Sequence, residues 1–334
     1  MKNIKDVAKE AGVSVATVSR YINNVGFISD ELKSRIGKTI KELNYYPNKV
    51  ARSLSKGKTD IIGIIIPDIT NPFFPELVKG ASDLLITKGY HVHLCSSEND
   101  SKKEELFLRD FQSMRVDGII IVPSDSEKRD SNIFNEIMCP IVMADREITG
   151  LDIDLVIFSN KKGAYDAVNY LIQNGHKKIV FLGGSIVTAT AQKRSSGWEK
   201  AMKENNLSID NLSYWGDYSV ESGYLVMNDV FNKLNKIDAV FASNDLIALG
   251  AIQSIKEKGL SIPNDISIVG FDDIYICKFL TPPLTVIHQP IYEIGSRAVE
   301  LLLNRISKKK NNNTTKRMVL TGELIIRESV NRKA

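Results

Sequence analysis

Little in this chain of 334 residues supports chemistry on a metal or a nucleotide. It has three cysteines, Cys95, Cys139 and Cys277, odd in number and far apart, which argues against both a disulfide framework and a zinc site. His91 and His93 point the same way on an expected strand, but no third ligand accompanies them, so they read as a solvated pair. His176 and His288 read as structural, and no grouping of Ser, His and acid stands out. Neither G-x-G-x-x-G nor a Walker sequence is present to cradle a phosphate. Asp272 and Asp273 are sequence neighbours whose side chains would diverge, unlike the facing carboxylates of a glycosidase. No apolar run approaches the ~18 residues of a membrane span. Met1-Lys2-Asn3-Ile4-Lys5-Asp6 leads directly into an amphipathic pattern rather than a signal peptide. The expectation is a protein of the cytoplasm with no membrane partner, no cofactor and no enzymatic activity.

Charge is unevenly distributed. The first sixty residues hold twelve Lys or Arg against six Asp or Glu, so they carry +6 on a chain whose net charge is +4. The same segment has the layout of a helix-turn-helix. Asn3 caps a first helix with Ile4, Val7, Ala8 and Ala11 on its apolar side. Gly12 supplies the positive φ of a sharp stop, and Val13 plugs the corner. Ser14 caps a second helix, with Val18 and Ile22 on its buried side and short or cationic residues outward. A helix with so small an exposed face enters a major groove, bringing Arg20 to a guanine edge and Val15 and Ala16 to thymine methyls. Ser14, Thr17, Ser19 and Asn23 are candidates for phosphate contacts. A third helix opens at Ser29, buries Leu32, Ile36, Ile40 and Leu43, and ends before Pro47. The head therefore spans 1–46, followed by a hinge over 47–58 too short to be helical unless something packs on it.

This head, with Tyr46-Pro47-Asn48-Lys49-Val50-Ala51-Arg52-Ser53-Leu54 behind it, resembles the LacI/GalR family of ligand-responsive repressors, and the resemblance runs end to end. It implies paired hinge helices in the minor groove, with Val50 and Arg52 among the DNA contacts and Leu54 as a wedge between central base steps. From Asp60 the pattern is α/β: apolar runs at 61–66, 92–96, 118–122, 141–144, 179–183, 239–242 and 267–270 alternate with helical segments. The expected architecture is a helix-turn-helix head plus hinge helix, then a two-lobed, periplasmic-binding-protein-like core of parallel sheets over 59–334. One lobe takes about 59–158 and 290–320, the other about 159–289 and 321–330. The Lys308–Asn313 run reads as a solvated loop, and no leucine heptads follow to make a tetramerisation helix.

Ligands of open α/β sheets bind beyond the carboxyl ends of the strands. The resemblance extends to the sugar site of ribose-binding proteins, and the residues that would match it are Asn71, Phe73, Phe74, Asp145, Arg146, Arg194, Tyr218, Asn244, Asp272 and Gln289. Tyr218 is a departure, since ribose binders more often place Phe there. The implied protein is a homodimeric repressor of a sugar-utilisation operon, bound to a near-palindromic operator and responsive to D-ribose. Two alternatives keep the head and change the sensor: another pentose or hexose, or a phosphoprotein corepressor docking near Lys79, Lys88 or Arg297. A third is a sugar receptor without DNA function, which the basic head opposes.

Overall fold

The computed structural model describes residues 2–23, 25–46, 57–124, 131–307 and 314–333. The hinge as far as residue 56, with Val50, Arg52 and Leu54, lies outside the described residues, as does the 308–313 run. The chain forms two compact units, Met1–Thr59 and Asp60–Ala334.

Among the described residues the first unit contains three helices, α1 (Ile4–Glu10), α2 (Val15–Asn23) and α3 (Asp30–Glu42). Asn3 and Asp6 form a reciprocal capping box at α1, satisfying backbone donors that a helix start leaves unpaired. Gly12 takes φ 61°, and Val7, Ala8, Ala11, Val18 and Ile36 form the buried centre of the three helices. Ser29 caps α3, with Asp30 and Glu31 in the first turn where the helix dipole favours anions.

The second unit is built on two six-stranded sheets. The N-lobe sheet contains β1 (Ile61–Ile66), β2 (His91–Ser96), β3 (Gly118–Ile121), β4 (Ile141–Ala144), β5 (Asp154–Phe158) and β11 (Arg317–Leu320), in the order β11-β5-β4-β3-β1-β2. The C-lobe sheet contains β6 (Ile179–Gly183), β7 (Ser213–Trp215), β8 (Ala239–Ala242), β9 (Ser267–Asp272), β10 (Thr285–His288) and β12 (Leu324–Ile325), in the order β12-β10-β9-β8-β6-β7. All pairings are parallel except β10 with β12. Strands β3, β6, β8 and β9 are buried at every position, as expected of parallel strands covered on both faces. The covering helices are α4 (Phe73–Thr87), α5 (Ser101–Ser113), a single turn α6 (Ile133–Glu136), α7 (Asn160–Gln173), α8 (Ala189–Glu204), α9 (Val220–Lys233), α10 (Asp245–Glu257) and α11 (Ile291–Ser307). The chain passes between lobes after β5, after β10 and after β11, because each sheet takes a strand from beyond its own consecutive run.

Three helix pairs pack closely through glycine. A Cβ at Gly80 of α4 would strike the Tyr292 carbonyl, and one at Gly295 of α11 the Leu77 carbonyl. Gly223 and Gly250 do the same for α9 and α10, and Gly197 sets α8 against Lys161 and Ala164 of α7. These contacts are backbone on backbone, so an added methyl must part the helices rather than turn aside. Gly295→Ala should cost roughly 1–3 kcal/mol, read as a lowered midpoint of thermal unfolding. An unchanged midpoint would show that the crossing yields without cost.

Candidate functional site

On the head, α2 presents a small, exposed, cationic surface. The Ser14 hydroxyl accepts from the Thr17 amide at 3.1 Å, capping the helix, and lies 2.9 Å from the Thr17 hydroxyl. Val15, Ala16 and Arg20 are exposed while Val18 on the opposite side is fully buried. Arg20 has no carboxylate partner among the described residues, so its guanidinium fork is available to an external acceptor. Asn23 is differently employed: its amide donates to the Ser19 carbonyl at 2.9 Å and the Ser19 hydroxyl at 3.3 Å, and its Oδ1 is buried without a partner. It closes the helix end and draws Ser19 with it.

In the second unit, Asn71, Phe73, Phe74, Asp145, Arg146, Thr190, Arg194, Tyr218, Asn244 and Asp272 line one narrow cavity of about 20 Å³ between the lobes. A space this small holds little more than a water, so a small-molecule ligand enters only when the two walls part. Asn71 Oδ1 accepts from the Phe73 amide at 3.1 Å, fixing the start of α4, and the Phe73 and Phe74 rings meet edge to face at 5.2 Å. Asp145 has φ 61° just beyond β4 and lies 3.8 Å from the Arg146 guanidinium. Arg146 donates to Asn99 Oδ1 at 3.1 Å and stands 5.6 Å over the Phe74 ring. These residues form the N-lobe wall.

The C-lobe wall centres on Arg194, one turn inside α8. Its Nε donates to Asn160 Oδ1 at 2.7 Å, its Nη1 to the Ser243 carbonyl, and its plane lies 3.9 Å over the Phe271 ring. Asp272 Oδ1 is 3.3 Å from Arg194 and accepts from Gln289 Nε2 at 2.5 Å. The sequence places Asp272 after a strand ending at Gly270. In the structure β9 continues through Asp272, where His288 pairs with it, and its φ of 116° turns the carboxylate into the cleft. Asn244 spends its Oδ1 capping α10, accepting from the Ile247 amide at 2.9 Å. Gln289, fully buried at the crossover behind Asp272, keeps an unpartnered Oε1. Thr190 is the residue that sequence reasoning missed. Its hydroxyl lies 3.3 Å from Tyr218 Oη, and its spacing of four from Arg194 puts both on one helix face. Tyr218, where a Phe is the commoner choice, thus has a partner for its hydroxyl.

Outside this cavity, His91 and His93 are exposed on the edge strand β2, with His93 5.4 Å from the Phe111 ring. Among the described residues no group of three His, Cys, Asp or Glu could hold a metal ion.

Burial pushes the Asp272 carboxyl up to about 7, against the pull of Arg194 and Gln289. The fully buried Asp245 below it is raised well above the carboxylate range by burial and by the Asp272 charge. The folded chain therefore holds these protons at a pH where the unfolded chain has released them. Stability from this source is full below the ordinary value of 3.8 and is lost as pH rises towards 7. Asp272→Asn should flatten the curve of unfolding midpoint against pH between about 4 and 7. A slope equal to that of the unmodified chain would contradict the assignment.

Residues 3–48 match the family described as bacterial regulatory proteins, lacI family, and residues 168–330 match a periplasmic binding protein-like domain. The chain is 39% identical over 334 residues to the HTH-type transcriptional repressor PurR of Histophilus somni (strain 129Pt), covering 99% of each. It is 38% identical over 329 residues to the HTH-type transcriptional regulator RegA of Clostridium saccharobutylicum, covering 98% of each. The lac repressor dimer bound to operator and the anti-inducer ONPF superposes with TM-score 0.88 at 27% identity, covering 99% of each chain. A LacI family regulator from Enterococcus faecium with bound ribose superposes with TM-score 0.74 at 29% identity, over 82% of this chain and all of that one. Among the described residues no helix is long and apolar enough to cross a membrane. With end-to-end likeness to such regulators, a helix-turn-helix head and a two-lobed core, the chain belongs to the lacI family, as a DNA-binding transcriptional repressor with a ligand-binding domain.

Proposed function

We propose that the protein acts in the cytoplasm as a homodimeric repressor of a sugar-utilisation operon, and that its effector is a free, uncharged pentose, D-ribose first. The observation that carries this reading is the charge balance of the cavity. Asp145 faces Arg146 on one wall and Asp272 faces Arg194 on the other, so each guanidinium already has an acid partner where a phosphate would need it. Acceptor carboxylates beside donor guanidiniums suit vicinal hydroxyls, each of which gives one hydrogen bond and accepts another. Phe73 and Phe74 offer apolar faces to the C–H side of a sugar ring. The ribose carried by the Enterococcus faecium neighbour supports the same choice.

A dimer is required because one head reads only a half-site. Tyr275 and Phe279 of the second unit, exposed and with rings 5.0 Å apart, offer apolar surface that a second copy would cover. The phosphoprotein reading draws less support. Lys79 is paired with Asp83 at 2.6 Å, and Arg297 with Glu293 and Glu300 at 2.9 Å each, so two of the three cations it needs are already neutralised.

Calorimetry of the protein against D-ribose, ribose 5-phosphate, glucose and a free nucleobase tests the effector. Saturable binding of ribose with silence from ribose 5-phosphate is expected. Tighter binding of the phosphate, or of the base alone, would overturn the reading. On the DNA side, Arg20→Ala should cost roughly 1–3 kcal/mol and relax base choice at one position in each half-site. Operator variants compared by fluorescence anisotropy would show this, and retained discrimination would remove Arg20 from the reading role.

A further inference from the structure

The two walls of the cavity are nearly sealed: Asn71, Asp145, Arg146, Arg194 and Asp272 are each at most 8% exposed. The lobes are therefore closed on one another. Glu147 extends from the N-lobe directly after the cavity residues Asp145 and Arg146. Arg317, at the start of the edge strand β11, grips it with two parallel bonds, Nη1 to Oε1 at 2.5 Å and Nη2 to Oε2 at 2.9 Å. Such a fork fixes the direction of a carboxylate as well as its place. Facing it from the C-lobe is Lys193, the residue before Arg194 on α8, with Nζ 3.4 Å from Glu147 Oε2. Neither Glu147 nor Lys193 lines the cavity.

The geometry points to Lys193 and Glu147 as a latch across the cleft mouth, in which Arg317 holds the carboxylate ready and Lys193 closes onto it. Both latch residues are chain neighbours of effector-wall residues, so engaging the latch brings Arg146 and Arg194 to their working separation. They act as positioning residues and need not touch the ligand. Arg317 and then Lys193 depress the carboxyl of Glu147 below its ordinary value, which favours its charged form. The apparent affinity of a site formed only in the closed state is reduced by the fraction of chains that are open. Because Lys193 is 39% exposed, the pair is screened by water and ions, and its contribution is modest.

The inference rests on the proposed effector only for the choice of probe. In calorimetry with D-ribose, Lys193→Gln should weaken binding by about two- to fivefold at low salt, on the scale of exposed ion pairs. Lys193→Glu should weaken it further, Lys193→Arg should restore it, and the differences should shrink in about 1 M salt, where the screening length is ~3 Å. Unfolding midpoints should stay the same throughout, which separates a latch from a structural role. A second measurement needs no ligand. Spin labels at Lys102→Cys and Lys236→Cys, with Cys95 and Cys139 replaced by Ser and the labelled chain diluted in unlabelled dimer, report the separation of the lobes. Lys193→Glu should shift that distribution towards longer distances. Binding by Lys193→Gln and Lys193→Glu equal to the unmodified chain, or an unshifted distribution, would overturn the latch. Failure of every variant and of the parent to bind ribose would instead overturn the effector assignment, and the label distances would then decide the latch alone.

Discussion

The buried pair of Arg194 and Asp272 governs the chemistry of the cleft. Taking two charges out of water costs several kcal/mol per ion unless every remaining donor and acceptor is met. Here Asn160, the Ser243 carbonyl and the Phe271 face complete Arg194, and Gln289 completes Asp272. The pair therefore ties together the first turn of α7, the loop after β8, the end of β9 and the crossover after β10. Removing one partner leaves the other charge buried alone, at a cost of roughly 3–5 kcal/mol. On the proposed reading, the same pairing favours hydroxyls, met by hydrogen bonds, over anions.

Much of this was legible in the sequence because two strong periodicities coincide with strong punctuation. The head reads directly from Asn3, Gly12, Ser14 and Ser29, each a cap or stop with a local physical cause. The buried strands β1, β3, β6 and β8 announce themselves as short apolar runs. Less legible are β7, only three residues long, and β12, only two, since neither length holds a period. The end of β9 was misplaced because Phe271-Asp272 resembles a strand exit, whereas pairing with His288 extends the ladder.

The wall residues were found through resemblance and strand order, but their states were not. Nothing local says that Asp272 is held near 7, since that follows from burial and from charges as distant in the chain as Arg194 and Asp145. Thr190 escaped because a threonine near a helix start ordinarily reads as a cap, and only the neighbouring Tyr218 hydroxyl gives it a second meaning. Asn23 went the other way, as a polar residue on the outer face that the helix itself consumes.

On the proposed reading, a small neutral molecule controls a DNA complex held largely by charge. Such a ligand can shift that equilibrium only by its different affinity for the open and closed lobes. Within the lobes, helix pairs meet backbone on backbone at glycine, which leaves little room for them to slide. The most direct measurement is the anisotropy of a labelled operator duplex bound by the protein while D-ribose is added. The account predicts release of the operator by ribose and no release by ribose 5-phosphate. An operator complex indifferent to ribose, or released only by the phosphate, would contradict it.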